Sequence, residues 1–218
     1  MSLETIYGVV SDVAAFSVLI PLLLCLIRIK AFYNALWAIP CYLLLCFIAE
    51  RSGHFFVEND KISNAIYNTF TLLEYTILVM VFSYHYQDKK AKIIIRMLYF
   101  VVMLIALWHF VIMGRFKEMD NIVNTSEAFV LLGISGFYFQ KILLDETIKE
   151  PKKYYFFWMN LAFSLYFGIA IILFFSSEFI ETSSRPIGYA LWSIHLLMNF
   201  VTNGLMSIGI WKLKPIQR

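Results

Sequence analysis

Residues 62–86 read ISNAIYNTFTLLEYTILVMVFSYHY, a run of 25 residues in which Glu74 is the only acidic side chain and no Lys or Arg occurs. A helix needs about 20 mostly apolar residues to cross the hydrocarbon core of a bilayer. This stretch is long enough, and its carboxyl group lies close to its middle. Because lipid offers a carboxyl group no partner, the stretch predicts a membrane-spanning helix with one face turned toward other helices.

The rest of the chain is also rich in long apolar stretches. Hydrophobic residues make up 61% of the 218 residues and charged residues 15%, whereas soluble domains have roughly 45–50% and 25%. We therefore expect a single all-α integral membrane domain over residues 1–218, built as a bundle of seven transmembrane helices. Soluble, disordered, coiled-coil and nucleic-acid-binding classes are excluded. The predicted spans are 5–27, 33–52, 62–86, 93–113, 121–144, 154–178 and 187–211.

Lysine and arginine are distributed unevenly among the connections between these spans. With the N-terminus outside, 13 of the 18 Lys and Arg residues fall in cytoplasmic segments. Cytoplasmic loops of membrane proteins carry such an excess of basic residues. The sequence thus predicts an outside N-terminus and a cytoplasmic C-terminus for a multi-pass protein of the plasma (inner) membrane.

Polar and ionisable side chains concentrate in the predicted outer half of the bundle. At a rise of 1.5 Å per residue, Asn68 lies about 9 Å and Glu74 about 18 Å below the outer boundary of the third span. Groups of this kind are costly inside a membrane and are functional candidates for that reason. The residues expected to bind a ligand are Asp12, Asn68, Glu74, His109, Asn124, Glu127, Trp192, His195 and Asn199.

Helical spacing places several of these residues on shared faces. Trp192, His195 and Asn199 follow the i, i+3, i+4 rule on the seventh span, as Asn124 and Glu127 do on the fifth. We expect an outward-facing polar cavity that binds a small polar or cationic ligand, in a carrier or a receptor-like protein. The excess of acids over imidazoles favours a cationic ligand, a metal ion or proton coupling, because a buried carboxyl group takes up a proton or holds a cation.

Two other classes of function stay open. The first is an intramembrane enzyme, metal-dependent or acid–base, that uses Glu127, His195, His109 and Glu74 of the same cavity. Its candidate metal ligands are Glu50, His54, Glu127 and His195. The second is a structural or partner-binding membrane subunit, in which the polar residues form interhelical hydrogen bonds worth about 0.6 kcal/mol each.

The expected partners are the lipid bilayer and a small-molecule ligand, with no nucleic acid. A sensor would need a separate output protein, because the predicted segments outside the spans are short. No cofactor is expected, although a metal ion stays open. A retinal Schiff base in the last helix is excluded, because no lysine lies between Lys153 and Lys212.

Residues 133–136 read GISG, a match to the short GxSG motif of rhomboid-type intramembrane proteases. A serine nucleophile of that type lies near the outer start of a helix, whereas Ser135 lies about 21 Å below the entrance of the fifth span. Small residues also let two membrane helices approach closely. We therefore expect these residues to serve helix packing.

The orientation can be tested with single cysteines at two lysines. We expect a membrane-impermeant thiol reagent added outside to label Lys117→Cys and to miss Lys90→Cys, because the basic-residue bias places residues 87–92 in the cytoplasm. The reverse labelling pattern would overturn the predicted orientation.

Overall fold

The computed structural model describes residues 3–56, 58–146, 148–176 and 184–214. The predicted all-helical class is confirmed in the residues described, which contain no β-strand. The described residues form eight α-helices: α1 (Leu3–Ser17), α2 (Leu19–Ile27), α3 (Ala38–Phe55), α4 (Asp60–His85), α5 (Lys89–Leu107), α6 (Asn121–Leu144), α7 (Tyr155–Phe175) and α8 (Arg185–Lys212).

Seven helical segments among the described residues are long and apolar enough to cross a membrane. The segment Tyr7–Ile27 consists of most of α1 together with α2. Its helix is interrupted between Ser17 and Leu19, and Pro21 accounts for the break. Proline has no N–H to donate to the carbonyl four residues earlier, and its ring collides with that carbonyl.

Side-chain caps define where three of the helices begin. The Asn59 side chain accepts a hydrogen bond from the Ile62 N–H at the start of α4, and Asp88 accepts one from Ala91 at the start of α5. The bond from Ala91 holds the pKa of the Asp88 carboxyl below its usual value. Asp120 accepts from the N–H groups of both Ile122 and Val123 at the start of α6. Each cap satisfies backbone donors that a helix leaves unpaired at its N-terminus.

The helices form a closed ring of neighbours. The first span packs against α3 and α8, and α7 lies between α6 and α8. On the other side α4 contacts α3, α5 and α6, and its span has the largest buried share of these four. We call the end of the bundle that carries the N-terminus the outer end, following the predicted orientation, and the opposite end the inner end.

A single turn of π-helix, Trp108–Ile112, extends α5 toward the outer end. Just beyond it Gly114 has a φ of 71°, a left-handed conformation that glycine adopts without steric cost and that turns the chain toward α6. His109 in the π-helical turn donates from Nδ1 to Oδ2 of Asp120 at 2.8 Å. The side chain that caps α6 therefore also joins α6 to the end of α5.

The helices α7 and α8 approach closely at Gly209. A Cβ atom placed there would lie 2.8 Å from Cγ of Met159 and 3.1 Å from the Tyr155 carbonyl oxygen. Gly204, on the same helix, has nothing within 4 Å of the corresponding position. A glycine is thus needed for this contact at 209 but not at 204.

We expect Gly209→Ala to lower the free energy of unfolding in detergent by about 1–3 kcal/mol, the usual cost of overpacking. Gly204→Ala is the matched control, and it should be neutral or stabilising by up to about 1 kcal/mol because alanine is the better helix former. Thermal unfolding followed by circular dichroism measures both changes. Equal effects of the two substitutions would contradict the close approach at Gly209.

Candidate functional site

A cavity of about 60 Å³ lies inside the bundle between the first span and α3, α4, α7 and α8. A buried water needs roughly 10–15 Å³ of such space, so this cavity has room for a few waters or one small solute. The polar side chains that line it come from four helices: Tyr42, Cys46, Glu50, Tyr67, Glu74, Tyr166, Asn199, Thr202 and Asn203.

Glu74 forms the acidic wall that α4 contributes. The buried face of α4 runs through Asn68, Thr71, Glu74 and Leu78, at the spacing of one helical stripe. The Glu74 side chain is 4% exposed, and its Oε1 accepts a hydrogen bond of 2.9 Å from the hydroxyl of Tyr42 on α3. The helix period thus turns the mid-span carboxyl group inward, where tyrosine supplies a donor.

A second carboxyl group, that of Glu50, lines the cavity nearer its outer end. The Asn199 amide on α8 donates to Oε1 of Glu50 at 3.4 Å. Glu50 is partly exposed, as is Tyr67 beside it on the cavity wall. The two acids therefore lie at different depths of one chamber.

The wall formed by α8 supplies amide and hydroxyl groups. The Asn203 amide donates to Oγ of Ser17 at 2.7 Å, which joins α8 to α1. Thr202 lines the same wall, and its buried Oγ1 has no hydrogen-bond partner in the part of the chain that is described. A buried polar oxygen without a partner is costly. The hydroxyl group of Thr202 on this wall is thus left for a ligand or water to bind.

No lysine, arginine or histidine belongs to the described lining of the cavity. Arg51, next in sequence to Glu50, lies 3.7 Å from Asp12 and stacks over the Phe16 ring at 4.8 Å. Arg51 thus contacts α1, although it also lies close enough to the lining residue Tyr67 for the two groups to interact. With two carboxyl groups and no base in the lining, the chamber favours positive charge.

Glu127 on α6 lies behind the side of the cavity that α4 forms with Glu74. It is 4% exposed and close enough to Glu74 for the two charges to interact, although it does not line the cavity. One turn earlier, Asn124 accepts a hydrogen bond from the Thr71 hydroxyl at 3.0 Å. The Oε1 atom of Glu127 has no partner among the described residues. Two carboxyl groups thus face the same interior region from α4 and α6.

Aromatic rings fill the bundle on the inner side of the cavity. Three of these rings, Phe82, Phe156 and Phe163, are at most 1% exposed. The Phe82 ring packs edge-on against each of the other two, with ring centres 5.8 Å apart. Tyr42, which holds Glu74, contacts Phe163 at 6.0 Å. His85 stacks on Phe156 at 3.5 Å. We call Phe82, His85, Phe156 and Phe163 the aromatic plug; it lies on the inner side of the cavity, next to the lining residue Tyr42.

The structure brings only part of the predicted ligand-binding set to this cavity. Glu74 and Asn199 line it. Glu127 lies behind its wall, and His195 contacts the lining residue Tyr166 with ring centres 5.5 Å apart. Trp192 packs against His195, with ring centres 5.9 Å apart, and does not itself line the cavity.

The other predicted ligand-binding residues lie at separate places, each with its own partner. Asp12 is exposed beside Arg51. Asn68 donates to the backbone oxygens of Phe116 and Glu118 and so fastens the connection between α5 and α6. His109 is paired with Asp120, and Asn124 with Thr71.

The candidate metal ligands do not form a cluster in the described part of the chain. No group of three or more His, Cys, Asp or Glu side chains converges there. Glu50 lines the cavity, Glu127 lies behind it and His195 contacts Tyr166, while the His54 side chain lies outside the described residues. Of the residues predicted for an intramembrane enzyme, Glu74 and Glu127 are neighbours, but His109 is bonded to Asp120.

Ser135 belongs to a buried polar contact between α6 and α7. Its hydroxyl bonds to the Asn160 side chain at 2.8 Å, and Ser164 Oγ lies at 2.5 Å. Asn160 donates back to the Ser135 carbonyl. Gly133 and Gly136 have nothing within 4 Å of their Cβ positions, so the expectation that they permit close packing is wrong. The serine joins two helices through hydrogen bonds instead.

Sequence reasoning missed the tyrosines of the site. Tyr42 and Tyr166 lie within spans rather than at their ends, and both line the cavity. A tyrosine hydroxyl that is buried in a protein usually finds a hydrogen-bond partner. A tyrosine in the middle of a span therefore indicates a buried polar group nearby.

Comparison with known protein families, with characterised proteins and with solved structures finds no match to this chain.

The bond between Tyr42 and Glu74 can be measured with a double-mutant cycle. We expect Tyr42→Phe to lower the free energy of unfolding by about 1–3 kcal/mol, because it leaves a buried acceptor without its donor. In a Glu74→Leu background the same substitution should have little effect, because the acceptor is gone. Denaturant unfolding in detergent gives the four values. Additive effects would show that the two residues act independently.

Proposed function

We propose that the protein binds a small cation in this cavity, as a membrane carrier or a receptor. The observation that carries the proposal is the presence of Glu50 and Glu74 in one chamber whose described lining contains no basic side chain. In a medium of low dielectric, a carboxyl group either takes up a proton or holds a positive charge. A cation would therefore compete with protons for these two groups.

The size of the cavity limits the ligand. About 60 Å³ suits an inorganic monovalent cation with its waters, an ammonium ion or a small amine. Hard cations prefer oxygen ligands, which Glu74, Thr202 and the amide carbonyls of Asn199 and Asn203 can supply. The unpartnered Oγ1 of Thr202 supports a ligand here, because a bound cation would satisfy it.

The interpretation as a purely structural subunit explains some of the polar residues. Asn68, Ser135 and Asn203 each bridge two segments of the fold by hydrogen bonds. It does not explain Thr202 and Glu127, each of which has a buried oxygen without a described partner. Residues retained only to join helices would be expected to use their hydrogen-bonding groups.

Cation binding can be tested with purified protein in detergent, titrated separately with Na⁺, K⁺, NH₄⁺ and methylammonium. We expect one of them to raise the free energy of unfolding, by about 2.7 kcal/mol at 100 times its dissociation constant. Lowering the pH should weaken the effect, because a proton bound to a carboxylate removes the charge that attracts the cation. Glu74→Gln should abolish the effect for the same reason.

Glu118→Gln is the matched control, since it makes the same chemical change at an exposed position outside the cavity. Stabilisation by cations that is the same in Glu74→Gln and in the wild type would overturn the proposal. Uptake of the bound cation into proteoliposomes then distinguishes a carrier, which moves it, from a receptor, which only binds it.

A further inference from the structure

A second hollow, an apolar groove, lies between α3 and α4 next to the cavity. Its volume is about 500 Å³, within the range of roughly 300–1,000 Å³ that ligand pockets occupy. Ala49 and Phe70 border both hollows and so separate them. The walls of the groove are mainly apolar and include Leu45, Ile48, Ile66 and Leu73. Ile48 and Leu73 are about half exposed, at 51% and 45%, so the groove opens to the surroundings of the bundle.

Among the described residues that line this groove, two are charged: Lys61 from α4 and Lys117 from the connection between α5 and α6. Neither forms an ion pair with a residue that the structure describes. Four acids lie in or beside the connections at the same end of the bundle but do not line the groove: Glu58, Asp60, Glu118 and Asp120. Of these, Asp60 precedes Lys61 at the start of α4, and Glu118 lies 3.9 Å from Arg115. The rim of the groove therefore presents two ammonium groups.

The backbone around Lys117 is fixed over the first turns of α4. The Asn68 amide donates to the carbonyl oxygens of Phe116 and Glu118, at 2.9 and 2.8 Å. The Asn64 amide lies 3.5 Å from the Lys117 carbonyl oxygen. Amides on α4 thus fix the backbone on both sides of Lys117, whose side chain lines the groove together with that of Lys61.

The length of the groove matches one leaflet of a bilayer. From Lys61 to Leu73 the helix rises about 18 Å at 1.5 Å per residue. The hydrocarbon core of a bilayer is about 30 Å thick, so one leaflet accounts for about half of that. An acyl chain whose headgroup lies beside Lys61 would therefore end near Leu73.

We propose that this groove binds one phospholipid with an anionic headgroup, from the leaflet at the outer end of the bundle. One acyl chain lies along Ile48, Ile66 and Leu73, and the headgroup phosphate lies between Lys61 and Lys117. The apolar walls favour the chain, and the paired ammonium groups favour an anionic over a zwitterionic headgroup. This site is separate from the cation cavity and does not depend on its proposed function.

Native mass spectrometry of the purified protein tests the proposal with two lipids of identical acyl chains, phosphatidylglycerol and phosphatidylcholine. We expect one phosphatidylglycerol to be retained in preference to phosphatidylcholine. Removing either lysine with Lys61→Gln or Lys117→Gln should weaken that retention roughly fivefold, the usual contribution of one basic residue near an anionic lipid surface. Lys149→Gln, near the inner end, is the matched control and should leave retention unchanged.

A second variant tests the groove itself. Ala65→Trp places a large ring in the groove, and we expect it to lower retention of both lipids while the lysine variants affect phosphatidylglycerol alone. Unfolding temperatures of all variants show that the fold is kept. Equal retention of the two lipids by the wild type would overturn the proposal, as would unchanged phosphatidylglycerol retention in the Lys61→Gln/Lys117→Gln double variant. A lipid-free dimer that Ala65→Trp dissociates would assign the groove to a second copy of the chain instead.

Discussion

The arrangement of the bundle depends on one constraint, the carboxyl group of Glu74 near the middle of α4. A charged or strongly polar side chain at the centre of a bilayer costs about 2.5–3.5 kcal/mol even on the most permissive scales. The rotation of α4 is fixed accordingly, because its Asn68–Thr71–Glu74 stripe must face other helices. Tyr42 on α3 then supplies the donor, and the Phe163 ring of α7 packs against Tyr42. Three helices are thus positioned around a single polar group.

Polar groups elsewhere in the bundle fall into two sets that differ in how their hydrogen bonds are used. Ser135 with Asn160, and Ser17 with Asn203, are paired across helices and contribute to packing. Members of the second set have buried atoms without a described hydrogen-bond partner, and they include Thr202 and Glu127. Because a buried acceptor without a partner is destabilising, natural proteins keep such groups mainly where a ligand, an ion or water occupies them. This difference supports a binding site near Glu74 more strongly than the number of polar residues does.

Much of the fold could be predicted because hydrophobic length is a local property of the sequence. The predicted span 121–144 coincides with α6, and the span 62–86 differs from α4 by two residues or fewer at each end. The interruption of the first span and the π-helical turn after α5 were not predicted. The first depends on the local effect of Pro21. The second depends on how the following connection folds back, which periodicity does not contain.

The site was harder to predict because helical spacing gives a face but not the neighbour of that face. Glu74 could be identified as inward-facing, since a mid-span carboxyl has no alternative in lipid. Asp12 lies nearer the outer end, where water and Arg51 can solvate it, and it is exposed. His109 is bonded to Asp120, a residue outside the spans that a search within spans overlooks. Near the ends of a bundle, therefore, an ionisable residue is a weaker indicator of an interior site than at its centre.

The aromatic plug bears on the choice between a carrier and a receptor. A carrier built on this bundle must open a path past Phe82, Phe156 and Phe163, and hydrating each ring costs about 1.5–3 kcal/mol of burial free energy. The close contact of Gly209 with Met159 and Tyr155 joins α7 to α8 near the same end, so these two helices would move as a pair. The α6–α7 contact through Ser135 and Asn160 resists separation on the other side. Opening by movement of α4, which carries both Glu74 and Phe82, leaves these contacts intact and would couple the acidic site directly to the plug.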